Sequence, residues 1–144
     1  MTSFTSRYGE PTSDFGGAVV RAHRRHGATV VTVSGRVDAR NAARVSAYVT
    51  RFVLPDTPFV LDLGGVTAFT PKASALLDAT AQRCAATGVG WALVPGAAVA
   101  RRLRGRADLA ALPLIETVLE AEHEFDDAVL KRRRMLLPLL RKTA

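Results

Sequence analysis

The side chains that could take part in nucleophilic, acid–base or metal chemistry are few here: three histidines, one cysteine and scattered carboxylates. His23 and His26 fall within one arginine-rich stretch, and His123 lies far along the chain. The three do not converge on one segment, so they spell neither a metal centre nor a proton relay. Cys84 is the sole cysteine, which excludes an intrachain disulfide and a cysteine-based metal cluster. Its place in a helical apolar pattern reads as packing, not as a nucleophile. Asp62 interrupts an apolar run and invites an acid–base role, but a carboxylate satisfied by backbone N–H groups is the plainer reading. Gly64-Gly65 and Gly88-x-Gly90 lack the Lys and Ser/Thr of a phosphate loop, and no G-x-G-x-x-G opens a helix. No nucleophile, base and orienting group can be named together, so neither an enzyme nor a cofactor is expected.

The elements that must position these residues follow from periodicity. Residues 1–17 are rich in Ser, Thr, Gly and Pro without an apolar period and predict a mobile arm. AVVRAHRRHGATVVTVSG predicts two strands about a tight turn at His26-Gly27, ended by Gly35. Asp38 or Asn41 can cap a helix whose apolar positions are Ala42, Val45, Val49, Phe52 and Val53. Pro55 and Pro58 close it before a strand at Phe59–Leu63. The glycine pair then opens a loop, and Pro71 suits the first position of a helix over about 72–86. A strand at Trp91–Val94, a short arginine-bearing helix, a weak strand near Leu114–Val118 and a last helix from about His123 complete the order. Alternation of this kind predicts an α/β domain with a partly parallel sheet.

Composition sets the outer bounds. At 144 residues, 48% hydrophobic and 23% charged, the chain supports one domain with a true core. No apolar run approaches the roughly 20 residues of a membrane span. The start shows no basic region followed by an apolar stretch, so a cytoplasmic protein is expected. The net charge of +7 belongs mostly to residues 131–144, where Lys131, Arg132, Arg133, Arg134, Arg141 and Lys142 face no acidic residue. The remainder holds 14 basic against 13 acidic residues, a net of +1.

Four landmarks in this order resemble the STAS domain, the fold of bacterial anti-sigma factor antagonists. They are Ser34-Gly35-Arg36-Val37-Asp38, the strand Phe59–Leu63 followed by Gly65-Val66-Thr67, the helix beginning after Phe69, and Gly88 to Pro95 with its arginine-bearing helix. The resemblance implies a mixed sheet of four to five strands flanked by about four helices over residues 18–130. A basic tail, 131–144, would follow. It further implies binding to an anti-sigma factor, often one of the serine/threonine kinase type, through the loops at Asp38 and at the start of the second helix. In the family that second loop reads D-S-[ST]-G, and phosphorylating its Ser or Thr disrupts the complex by adding about −1.5 to −2 charges to the docking surface.

Here the corresponding stretch reads Thr70-Pro71-Lys72-Ala73, so neither Pro71 nor Lys72 can accept a phosphate. The partner surface implied comprises Asp38, Thr70, Pro71, Lys72 and Ser74, with Thr70 as a substitute phosphorylation site. Asp38 alternatively serves only the helix that follows it, and Arg101, Arg102, Arg104 and Arg106 read as a solvated helix face. The other function in view is a scaffold or membrane-peripheral module whose KRRRMLLPLLRK tail binds anionic lipid or RNA. Pro138 breaks an amphipathic helix there and the tail offers no stacking aromatics, so the tail reads instead as a solvated or loosely packed extension and direct DNA binding is not expected.

Overall fold

The structure is a computed structural model and describes residues 2–5, 11–104, 112–123 and 125. Six strands form one sheet: β1 (Thr2–Thr5), β2 (Pro11–Asp14), β3 (Ala18–Arg25), β4 (Ala28–Val37), β5 (Phe59–Phe69) and β6 (Trp91–Val94). Their spatial order is β1-β2-β3-β4-β5-β6. Pairing is antiparallel as far as β4 and parallel from β4 through β5 to β6. The helices are α1 (Ala42–Thr50), α2 (Ala75–Thr87) and α3 (Gly96–Leu103), with a 3-10 turn at Pro71–Ser74 and a helical stretch from residue 118. This is the mixed α/β architecture that the sequence predicts.

Each strand divides its side chains between two faces, as the period of two requires. One face carries Val20, Val31, Val33, Leu61, Leu63 and Leu93 into a single core with Val45 and Val49 of α1 and Leu76, Leu77 and Cys84 of α2. On the other face Val30, Val60, Ala92 and Val94 meet Ile115 and Ala121. Arg25 Nε lies 2.9 Å from Glu122 Oε1 and fastens that second layer to β3.

Several local expectations are corrected. Residues 1–17 are not simply an arm: Pro11–Asp14 pairs with β3, and Phe15 is buried with its ring 5.3 Å from that of Tyr48. The aromatics Phe4, Tyr8 and Phe15 stand among small polar residues at no regular period, so nothing in the sequence marks Phe15 as buried. Gly35 does not end β4, which bulges there and continues to Val37. At φ +89° a β-carbon on Gly35 would run into the Gly17 carbonyl, so glycine permits a close approach instead of a break. Likewise β5 passes through Gly64-Gly65 to Phe69 because β4 remains beside it. The fifth expected strand reduces to one parallel bridge, Leu93 with Leu114. The last helix starts near 118, five residues early, because Thr117 Oγ1 accepts the Glu120 N–H at 3.1 Å. The basic tail lies outside the described residues.

Candidate functional site

Parallel pairing of β4 and β5 brings the two loops of interest together. Val37 is in register with Phe69, and Thr70 N donates to the Val37 carbonyl at 3.2 Å. Both chains then leave the sheet at adjacent carboxyl ends, the position where open α/β sheets build their sites.

The first loop is held by its own polar atoms. Asp38 Oδ1 accepts the Arg40 N–H at 2.9 Å, and Asp38 Oδ2 lies 3.4 Å from Arg36 Nε. The Asp38 carbonyl accepts from Asn41 N at 3.3 Å and Ala42 N at 2.9 Å. Asn41 is only 1% exposed and ties three segments together. Its Oδ1 accepts the Asp38 N–H at 2.9 Å, while Nδ2 donates to the carbonyls of Arg36 at 2.9 Å and Phe15 at 3.2 Å. Neither expected cap therefore forms: Asn41 occupies the position before α1 but gives its side chain to the loop. Asp38 makes a local turn and an ion pair instead. That pair is solvent-exposed on the arginine side and contributes at most about 1 kcal/mol.

The second loop is short and constrained. Thr70 is extended (φ −80°, ψ 167°), and Pro71 sits first in the 3-10 turn, where its missing N–H costs nothing. Ala73 N donates to the Thr70 carbonyl at 3.0 Å. The hydroxyl oxygen of Thr70 is buried without a hydrogen-bond partner. Behind the loop, Arg102 Nε donates to the Phe69 carbonyl at 3.1 Å, so one arginine of the expected solvated face steadies the site.

Between the loops lies an open groove of about 700 Å³ lined by Arg36, Asp38, Ala39, Arg40, Thr70, Pro71 and Lys72. Asp38, Thr70, Pro71 and Lys72 are brought together as the sequence suggests. Ser74 is half-buried at the end of the 3-10 turn and does not line the groove. Arg36 and Arg40 do, and sequence reasoning missed them. The available signal was their spacing about Asp38, which puts Arg36 and Asp38 on one side of a strand and Arg40 in the turn that Asp38 closes.

The groove is lined by one carboxylate, one hydroxyl and three cationic side chains, with no histidine or cysteine among them. Among the described residues no group of three or more His, Cys, Asp or Glu side chains could hold a metal. Cys84 is buried, and desolvation pushes its thiol up to about 11, which leaves almost no thiolate at neutral pH. His23 lies on the opposite sheet face, in a shallow hollow with Val19, Arg21, Thr32 and Ser34. Asp62 accepts the Gly64 N–H at 2.9 Å, the structural role expected of it.

Comparison with known proteins bears on what such a groove is for. The STAS domain sequence profile matches residues 19–121. The chain is 40% identical over 146 aligned positions to osmosensory protein A of Mycobacterium tuberculosis (strain ATCC 25618 / H37Rv), covering 99% of this chain and 92% of that one. Its fold is similar to the crystal structure of an anti-sigma factor antagonist from Mycobacterium paratuberculosis, with a TM-score of 0.59 at 22% identity. That similarity covers 90% of this chain and 99% of the other.

Proposed function

The chain belongs to the STAS domain family, and from that premise we propose that it is an anti-sigma factor antagonist-like regulator of transcription. It binds an anti-sigma factor, of the serine/threonine kinase type, in the cytoplasm and by surface contact alone. The single observation that carries this reading is the groove that joins the Asp38 loop to the Thr70-Pro71-Lys72 loop. Its position at the carboxyl ends of adjacent parallel strands makes it a two-lipped surface, each lip held to the sheet by backbone hydrogen bonds. Among the described residues no helix is long and apolar enough to cross a membrane.

Regulation then differs from the usual scheme. With Pro71 and Lys72 in place of hydroxyl residues, the docking loop carries no side chain at its exposed tip that can be phosphorylated as Ser or Thr is. Thr70 is the one hydroxyl in the groove, and its oxygen is buried. A kinase reaches it only by opening the loop, so the unmodified protein is the binding form.

The test is direct titration of the full chain against each purified anti-sigma factor encoded in the same genome. Binding by one of them, weakened by Lys72→Glu, is the expected result. Absence of binding to every one, at concentrations up to about 100 µM, rejects this function, since specific regulatory complexes form well below that. Intact mass measurement of protein recovered from its own cells reads the other half: an unphosphorylated Thr70 is expected.

A further inference from the structure

We propose that the groove receives an acidic segment of the partner protein, a run of Asp or Glu side chains lying across Arg40 and Lys72. This deepens the docking reading of the same groove and rests on it. Three cations line the groove against one carboxylate. Asp38 is already engaged, by Arg36 through its Oδ2 and by the Arg40 backbone N–H through its Oδ1. Arg40 and Lys72 are exposed and find no further carboxylate in the lining. The groove therefore presents two uncompensated positive charges.

The local backbone reinforces them. α1 carries no acidic residue in its first turn, where carboxylates commonly offset the positive helix end. An arginine and a lysine facing one opening suit carboxylates, the arginine bidentately. Nucleic acid fits less well. A net of two charges is far below the roughly 6–10 phosphate contacts that give strong backbone binding, and no aromatic ring lines the groove for stacking.

Two measurements test this on the full chain. In the first, amide NMR spectra are recorded with a ten-glutamate peptide, a ten-lysine peptide and a ten-nucleotide single-stranded DNA. The glutamate peptide should shift resonances of residues 36–41 and 70–73, and Lys72→Glu should abolish those shifts while leaving the rest of the spectrum in place. Shifts from the lysine peptide alone, or larger ones from DNA at these positions, overturn the assignment. In the second, the affinity of the cognate anti-sigma factor is measured against salt. Arg40→Glu and Lys72→Glu should each weaken binding roughly tenfold or more at about 50 mM salt, with Lys72→Met intermediate. The differences should shrink below about threefold near 1 M, where screening is almost complete. An anti-sigma factor that binds with the same affinity at all salt concentrations and to all variants overturns the acidic-segment proposal while the antagonist function stands. If the glutamate peptide occupies the groove but no anti-sigma factor binds, the groove's chemistry is upheld and the antagonist function falls.

Discussion

Asn41→Ala tests whether the β4–α1 loop is held by one side chain. Three hydrogen bonds disappear, those to Asp38 N, Arg36 O and Phe15 O. At a net ~0.5–1.5 kcal/mol each, the sum is about 3 kcal/mol, with the bond to the Phe15 carbonyl at the upper end because no solvent can replace it. For a chain of this length that corresponds to a fall in Tm of roughly 10 °C. Urea titration followed by tryptophan fluorescence should show a lower midpoint with an unchanged slope, the sign of lost stability in an otherwise intact fold. Asn41→Asp separates two explanations. If Asn41 served as a helix cap, aspartate would replace it at almost no cost. As the tie between segments, aspartate sets a carboxylate against two carbonyls and must be at least as damaging as alanine. A loss below about 1 kcal/mol for alanine, or a neutral aspartate, refutes this account of the loop.

Three further outcomes follow from packing. Gly35→Ala and Gly96→Ala should each cost more than about 3 kcal/mol, since a β-carbon at Gly96 would lie 2.7 Å from Gly64 Cα and one at Gly35 would strike the Gly17 carbonyl. Gly16→Ala, at φ +65° in open space, should cost only about 1 kcal/mol, and soluble yield with thermal denaturation distinguishes the cases. Cys84 should resist thiol reagents in the folded protein and react at once in denaturant. Because its folded pKa is raised above the unfolded value, its contribution to stability is complete below pH 9 and declines as pH rises toward 11, which denaturation at successive pH values can follow. Arg25→Ala strands the buried Glu122 carboxylate and should cost about 1–2 kcal/mol in chemical denaturation, the half-exposed arginine limiting the loss.

The elements with strong periods were legible in the sequence. The β3–β4 turn is clearest: His26 and Gly27 have φ of 51° and 81°, the two positive values that a two-residue hairpin loop demands. What escaped were effects of close backbone contact. Glycine punctuates a chain when nothing lies beside it, but Gly35 and Gly65 each have a neighbouring strand against them, so both strands run on. Phe15 escaped because its partners, Tyr48 and the Asn41 loop, lie far away in sequence. At the candidate site, the loops and four of their residues were legible from family landmarks. Arg36 and Arg40 were not, because lining a groove is a property of two chain segments at once.

The spatial order of the sheet repeats the order of the chain, strand for strand. No strand has to slip between two that are already paired. The β3–β4 hairpin can form from local contacts alone, and β5 and β6 can then add at its far edge as each crossover helix collapses onto the sheet. On the ribosome, the amino-terminal meander is available as a template before the residues of the groove's second lip have been made. The groove thus has only its first lip until β5 has zipped against β4 and set Thr70–Lys72 beside Asp38.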